Sequence, residues 1–135
     1  MDFSISLKSI NSDKPFSGFS KQLLMIYYIS PLCPHCQNGY GTVQEIAKKY
    51  EPKGLASIAI VVKSVTESDI LQFIEEYKAT MPFFQDIEYE FLRKYGDGYV
   101  PKHYLVFPNG KTILYENYEK EIKKMVSDIE AFLSK

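Results

Sequence analysis

The sequence predicts one α/β domain, with a mixed central β-sheet flanked by α-helices on both faces. Three observations support this prediction: apolar runs of strand length alternate with amphipathic helical segments, two of those runs are apolar throughout, and the last third contains a hairpin signal. Apolar residues make up 45% of the 135 residues, which is enough to build a core without a covalent staple. We assign residues 21–135 to this domain and residues 1–20 to an N-terminal extension packed on it.

The first strands differ in the strength of their signals. Phe3, Ile5 and Leu7 alternate with polar residues, which predicts a short half-buried strand, and residues 11–20 are typical of turn and loop. Residues 23–29 are apolar throughout, as in a central strand that is covered on both faces. We therefore expect residues 23–29 to lie in the middle of the sheet.

A helix, a strand and a second helix follow along the chain. Residues 34–50 have a helical period, although Gly39 and Gly41 weaken the first turns of that helix. Residues 55–62 predict a second buried strand, and the sequence from Thr66 to Asp69 matches a capping box that opens the next helix. Because crossover connections are right-handed, the two apolar strands should be parallel neighbours.

The last third has the sharpest pattern. A short helix over residues 87–95 should end at Gly96. Within residues 103–115, two strand-like segments flank Asn109-Gly110, which predicts a β-hairpin because this dipeptide accepts the positive φ angles of a tight turn. A final amphipathic helix is expected over residues 118–133. The hairpin would then add an antiparallel pair to the sheet.

The only two cysteines, Cys33 and Cys36, form a CPHC motif where the central strand gives way to a helix. A helix N-terminus presents unpaired N–H groups and a partial positive charge, so it should favour the thiolate form of Cys33. A disulfide that closes so short a loop adds little stability, which makes a purely structural bond a weak explanation. The motif therefore indicates thiol-disulfide exchange.

Together, the CPHC motif and Val100-Pro101 before the hairpin resemble the thioredoxin fold. The segments 84–96 and 106–110 are similar to the TlpA-like branch of thiol-disulfide oxidoreductases, and the resemblance covers residues 20–134. It implies that Cys33 attacks a protein disulfide and that Cys36 resolves the mixed disulfide. It also implies a cis Val100-Pro101 bond, whose backbone meets an extended substrate segment. No cofactor is expected besides the redox-active Cys33–Cys36 disulfide.

Pro34 and His35, between the two cysteines, are expected to tune the pair. An imidazole near Cys33 favours the reduced thiolate and makes the disulfide a better oxidant. Pro-His is also the dipeptide of the strongly oxidising DsbA-type proteins, whereas the TlpA-like scaffold more often accompanies reductases. We therefore expect a reduction potential less negative than the value of about −270 mV for thioredoxin. The direction of electron flow stays open.

The sequence departs from the thioredoxin pattern at two places. Leu32 precedes the first cysteine where thioredoxins have an aromatic residue, usually Trp, and the chain contains no Trp. The central strand has Tyr27 and Tyr28 but no acidic residue that could accept a proton from Cys36. Glu45 or water is then the candidate proton acceptor.

Other readings of the same residues stay open. Cys33 and Cys36 with His35 could bind copper(I) or one side of a zinc site, and His103 would be the only further soft ligand. We assign no metal site, and we expect His103 to be a half-buried or surface side chain. A thioredoxin-fold interaction module without turnover is a third hypothesis. A peroxidase is disfavoured by the close spacing of the two cysteines.

Composition limits the partners and the location. The net charge is −1 without a basic stripe, so nucleic acid is not expected, and the apolar runs are shorter than the roughly 20 residues of a membrane span. The N-terminus lacks the features of a secretory signal, which fits removal of a signal or lipid anchor. We expect a monomer in a bacterial periplasm or cell envelope, recycled by a redox partner, with the cytoplasm as the second choice.

Overall fold

The computed structural model describes residues 1–135 as a six-stranded sheet with four α-helices. The strands are β1 (Lys8–Ser9), β2 (Leu23–Ile29), β3 (Leu55–Val61), β4 (Phe83–Gln85), β5 (Lys102–Val106) and β6 (Thr112–Tyr115). The helices are α1 (Pro34–Tyr50), α2 (Glu67–Glu76), α3 (Glu90–Tyr95) and α4 (Glu119–Leu133). None of the four combines the length and the apolar composition needed to cross a bilayer.

The strand order is β1-β4-β3-β2-β5-β6, with β2 in the interior of the sheet. β2 pairs in parallel with β3 and antiparallel with β5, and β5 pairs antiparallel with β6. This register places Tyr27 of β2 directly opposite His103 of β5. The predicted mixed sheet, with parallel apolar strands and an added hairpin, is confirmed.

The two faces of the sheet bury separate apolar clusters. On one face, Met25 and Tyr27 of β2 pack beneath α1, α2 and α4. On the other face, Leu24 and Ile26 pack beneath α3 and residues of the N-terminal segment. All seven residues of β2 are buried, as a strand covered on both faces requires. The prediction of helices on both faces is confirmed.

The N-terminal segment differs from the prediction. The expected strand over Phe3, Ile5 and Leu7 does not form, and the two-residue β1 pairs with β4 instead. Ile5 is buried without strand pairing, and the ring of Phe3 lies 4.8 Å from that of Phe16. Phe16 begins a short 3₁₀ turn inside the expected loop. Phe3, Ile5 and Leu7 therefore pack on the apolar cluster beneath α3. Side-chain contacts, and not strand hydrogen bonds, hold them there.

Capping and terminating residues in the sequence predicted the starts of α2 and α4 well and that of α3 less well. The capping box is present, with the Asp69 amide donating to Thr66 Oγ1 at 3.1 Å and the Thr66 amide donating to Asp69 Oδ2 at 3.3 Å. α4 begins one residue after its expected start. α3, however, begins at Glu90 and not at residue 87, because the buried Asp86 carboxylate accepts two amides of its first turn. The strand β4, immediately before Asp86, was not predicted.

The predicted hairpin forms, but with a different turn. Within the turn, only Gly110 has a positive φ, at 95°. The prediction gave a positive φ to both Asn109 and Gly110. The Gly110 amide donates to the carbonyl of Phe107 at 2.9 Å, and the Phe107 amide donates to the carbonyl of Lys111 at 2.8 Å. Pro108 has a fixed negative φ that suits the first central position of a type I turn, so the left-handed residue comes last.

Candidate active site

The CPHC motif places two unequal thiols at the start of α1. Cys33 is the N-cap residue with extended backbone and is partly exposed, whereas Cys36 is fully buried; neither forms a disulfide. Pro34 occupies the first helical position, where its missing N–H is not needed. His35 is exposed beside it. One sulfur is therefore available to a partner, while the other is shielded within the fold.

The buried thiol is held in its protonated form. Burial raises the pKa of Cys36 to about 12, and the neighbouring Cys33 sulfur acts in the same direction. The backbone at Ser30 opposes this shift but does not cancel it. At neutral pH, Cys36 is consequently a thiol that must lose its proton before it can attack.

The peptide bond between Val100 and Pro101 is cis, as the resemblance to the thioredoxin fold implied. Pro101 is buried, and Val100 is partly buried and packs against both apolar clusters. Two large apolar side chains beside these functional positions are strongly exposed: Leu32 at 62%, next to Cys33, and Tyr99 at 76%, next to Val100. Apolar surface is therefore exposed next to Cys33 and next to the cis bond.

Lys102 anchors the chain just after Pro101, a role that sequence reasoning missed. Its side chain is almost fully buried, and its ammonium lies 2.9 Å from a Glu116 carboxylate oxygen and 3.2 Å from one of Asp97. The hydrogen bond with Glu116 and then that with Asp97 raise the pKa of Lys102, against the effect of burial. The Lys102 ammonium thus links Asp97, which lies before the cis bond, to Glu116, which directly follows β6.

Tyr27 supports α1 from below. Its hydroxyl donates to the carbonyl of Cys36 at 2.9 Å, and the whole side chain is buried. Burial raises the pKa of Tyr27, and negative charge on Cys36 or Cys33 would raise it further. Tyr27 therefore stays a neutral phenol in the central strand, which has no acidic residue.

Gly39 makes room for this hydroxyl. A Cβ atom at Gly39 would lie 2.6 Å from the Tyr27 oxygen, whereas a Cβ at Gly41 would meet nothing within 4 Å. Only the first of the two helical glycines is thus required by packing. Gly39 lowers the helix propensity of this turn of α1, but its missing side chain leaves room for the hydrogen bond from Tyr27 to the Cys36 carbonyl.

His103 is not the half-buried or surface side chain that we expected, because it is only 2% exposed. Its ring lies 4.9 Å from that of Tyr27, and its Nδ1 has no hydrogen-bond partner. Burial lowers the pKa of His103 to about 4, and the backbone of Tyr115 and the carboxylate of Glu116 offset only part of this shift. A neutral imidazole therefore lies behind Tyr27.

Two further expectations concern proton transfer and metal binding. Glu45 lies on the exposed face of α1, so the prediction that it could take the proton of Cys36 is wrong. No group of three or more His, Cys, Asp or Glu side chains is arranged to hold a metal ion. The structure thus brings together Cys33, Cys36, Tyr27 and His103, without a carboxylate among them.

Known proteins resemble this chain in sequence or in fold. The thiol-disulfide oxidoreductase ResA of Oceanobacillus iheyensis is 30% identical over 88 residues, which are 65% of this chain and 45% of that protein. The chain thus spans less than half the length of this curated relative. A thiol-disulfide isomerase from Corynebacterium glutamicum superposes with a TM-score of 0.82 at 16% identity, covering 100% of this chain and 96% of that one.

Peroxiredoxin Q of Xanthomonas campestris superposes with a TM-score of 0.76 at 12% identity, covering 97% of this chain and 92% of that one. Because structures with different chemistry share the fold, the fold alone does not assign a reaction. The Redoxin family profile matches residues 3–133, almost the whole sequence. This thioredoxin-fold chain, with its CPHC pair at the start of α1, therefore belongs to the Redoxin family.

Proposed function

We propose that this protein is a thiol-disulfide oxidoreductase that exchanges disulfides with protein substrates through Cys33 and Cys36. The observation that supports this most directly is the unequal burial of two thiols one helical turn apart. An inert disulfide would need no exposed partner, and a metal site would need further ligands. A partly exposed nucleophile above a buried resolving thiol is the arrangement that stepwise exchange requires.

In the reducing direction, the Cys33 thiolate attacks one sulfur of a substrate disulfide. A bond forms between Cys33 and that sulfur, the substrate S–S bond breaks, and the other substrate sulfur leaves with the electron pair as a thiolate. The amide groups at the start of α1 stabilise the negative charge on Cys33 before attack. Cys36 does not compete in this step, because burial keeps it protonated.

In the second step, Cys36 loses its proton to water or to the departing thiolate and attacks the Cys33 sulfur. The Cys33–Cys36 disulfide forms, and the second substrate sulfur leaves as a thiolate, so the substrate gains two electrons. The hydrogen bond from Tyr27 to the Cys36 carbonyl keeps the first turn of α1 in place during this exchange. The oxidising direction is the same sequence reversed.

The substrate contact should be an extended segment. Its backbone would lie along Val100 beside the cis bond, a contact that depends little on substrate side chains. Leu32, next to Cys33, and Tyr99, next to Val100, add exposed apolar surface. We therefore propose broad specificity for accessible protein disulfides.

A trapping experiment tests the activity. The Cys36→Ser variant should accumulate a mixed disulfide between Cys33 and a protein substrate, and the unmodified protein should catalyse reduction of insulin disulfides by dithiothreitol. The matched variant Cys33→Ser should do neither. If the first variant traps nothing and the unmodified protein leaves insulin reduction at the uncatalysed rate, the proposal is wrong.

The redox poise depends on Pro34 and His35. Because His35 is exposed on the first turn of α1, its imidazole is available to the thiolate of Cys33 but is also solvated. We propose a potential less negative than about −270 mV, measured by equilibration against a glutathione series. The variant His35→Gln should shift the potential to more negative values. A potential at or below that of thioredoxin would remove the role of His35.

We also propose a setting for this reaction. Disulfides persist in oxidising compartments, so a bacterial periplasm or cell envelope suits a redox pair whose first thiol is partly exposed. The protein would act as a monomer, need no cofactor beyond its own disulfide, and be returned to its active state by a separate redox partner. Fractionation of the native host and sedimentation of the purified protein test location and oligomeric state.

A further inference from the structure

An ion pair closes the base of the loop that precedes β5. Asp97 lies at one end of this loop and Lys102, the first residue of β5, lies at the other, with the charged atoms of the two side chains 3.2 Å apart. The backbone of Lys102 is fixed, because it stands opposite Tyr28 of the interior strand β2. The loop between the paired residues contains Val100, the proposed contact with the substrate backbone. The ion pair therefore ties this loop to a fixed point of the sheet.

The two oxygens of the Asp97 carboxylate have different partners. One faces the Lys102 ammonium, and the other accepts a hydrogen bond from the Tyr99 amide at 3.0 Å. The Tyr99 amide and then Lys102 lower the pKa of Asp97, so this carboxylate is charged at neutral pH. Gly98 between them has a φ of 90°, which a residue with a side chain rarely adopts. A single carboxylate thus joins the backbone of the loop to the sheet.

Stability alone does not explain a lysine at this position. The side chain of Lys102 is only 7% exposed, and an apolar side chain of similar volume often stabilises such a position equally well or better. An apolar side chain, however, could not bind the carboxylate of Asp97. The tip of the loop is open to solvent, since Tyr99 is 76% exposed. The lysine therefore supplies a directional link to a loop that few other contacts hold in place.

We propose that Lys102 is a positioning residue for protein substrates: through Asp97 it holds residues 98–101 in the shape in which Val100 meets an extended substrate segment. This inference rests on the proposed function, because it needs a substrate that binds along the loop. Lys102 takes no part in the exchange of disulfide bonds. Without the ion pair the loop has more conformations, and binding must then overcome a larger loss of conformational entropy. The loss should appear in KM more than in kcat.

The two carboxylates that bind Lys102 provide a matched pair of variants. Asp97→Asn keeps an oxygen for the Tyr99 amide but loses the charge that pairs with Lys102. Glu116→Gln removes the closer partner, at 2.9 Å, which lies outside the loop. In the insulin assay with dithiothreitol, KM should rise about three- to fivefold in Asp97→Asn and less than about twofold in Glu116→Gln, with smaller changes in kcat.

Urea unfolding of the same two variants separates positioning from stability. Glu116 raises the pKa of Lys102 more than Asp97 does, so Glu116→Gln should lose at least as much stability as Asp97→Asn. We thus expect KM and stability to rank the two variants differently. A rise in KM that follows the loss of stability would show a purely structural ion pair and would overturn the proposal.

A double-mutant cycle tests whether Asp97 acts through Lys102. Lys102→Met should raise KM as Asp97→Asn does, and the double variant should raise it no further, since both changes break the same link. Effects that multiply in the double variant would mean that Asp97 contacts the substrate itself, which refutes the assignment. Lys123→Met removes an exposed ion pair on α4 and should leave KM unchanged. If Lys102→Met does not fold, the comparison of Asp97→Asn with Glu116→Gln still decides the question.

The same assay separates failure of this inference from failure of the proposed function. If the unmodified protein does not catalyse insulin reduction, the proposed function is wrong and this inference is wrong with it. If the unmodified protein is active and Glu116→Gln raises KM as much as Asp97→Asn, only the role of Lys102 is refuted.

Discussion

Replacing Gly39 with alanine tests how closely α1 is fitted to the sheet. In an exposed helix interior this change stabilises a protein by up to about 1 kcal/mol, because alanine has the higher helix propensity. Here the added Cβ would lie 2.6 Å from the Tyr27 hydroxyl oxygen. That oxygen is buried and bonded to the Cys36 carbonyl, and the Tyr27 ring is confined by Tyr40 and His103. The hydroxyl can yield only by leaving its acceptor.

The opposing free energies decide the sign. A buried hydroxyl that loses its hydrogen bond costs about 1–3 kcal/mol, and displacing a packed ring from its rotamer costs about 0.5–1.5 kcal/mol more. Together these costs amount to about 1.5–4.5 kcal/mol, which exceeds the propensity gain of about 1 kcal/mol. We therefore expect Gly39→Ala to lower the free energy of unfolding by about 1–3 kcal/mol, a reversal of the usual effect.

Urea unfolding of the reduced protein measures this change, and the same helix contains the control. Gly41→Ala adds a Cβ that meets nothing within 4 Å, so it should raise the free energy of unfolding by up to about 1 kcal/mol. The double variant Tyr27→Phe with Gly39→Ala removes the obstructing oxygen and should cost less than the two single changes combined. If Gly39→Ala stabilises the protein as Gly41→Ala does, the proposed fit is refuted.

Three other outcomes follow from the burial of single groups. At pH 7, iodoacetamide should label Cys33 and not Cys36 in the reduced native protein, since Cys36 is buried with a pKa of about 12; equal labelling by peptide mass spectrometry contradicts this. Asp86→Ala leaves two amides of α3 without an acceptor and should lower the free energy of unfolding by about 2–4 kcal/mol in urea, and a loss below about 1 kcal/mol would argue against that cap. The pKa of His103 is about 4 when folded and about 6.5 when unfolded, so this group should remove about 3 kcal/mol of stability as the pH falls from 7.5 to 4. The loss should be absent from His103→Phe in the same pH series.

The parts of the fold that sequence reasoning predicted have local causes. The bounds of α1 and β2 and the capping box at Thr66 follow from apolar period, strand length and helix-end chemistry. The parts that it missed depend on distant partners. β4 has three residues, too few for a period, and it exists because β3 and β1 lie on its two sides. The burial of Phe3 against Phe16 likewise depends on the second face of the sheet.

The same division applies to the site. Cys33 and Cys36 are signalled by a short motif, whereas the cis bond at Pro101 was implied by the resemblance to the thioredoxin fold. The neighbourhood of His103 was not predictable, because it depends on the register that sets β5 against β2. One signal was present: a glycine inside a helical period suggests close approach of another group. Tyr27 is that group, and its distance from Gly39 in the chain concealed the contact.

The groups beneath Cys36 have a consequence for the pH dependence of the reduction potential. The pKa of Tyr27 is raised and that of His103 is about 4. Well above pH 4, both groups are therefore neutral until the pH reaches the pKa of about 12 for Cys36. Over this range Cys36 takes up one proton on every reduction, and only the ionisation of Cys33 changes the proton count within the pair. With two electrons transferred, the potential should fall by about 59 mV per pH unit below that ionisation and by about 30 mV above it. A titrating base beneath Cys36 would add a second break between pH 5 and 10. The His35→Gln variant removes the imidazole beside Cys33, and for this variant a curve with only one break in that range would support a resolving cysteine that lies over a neutral phenol.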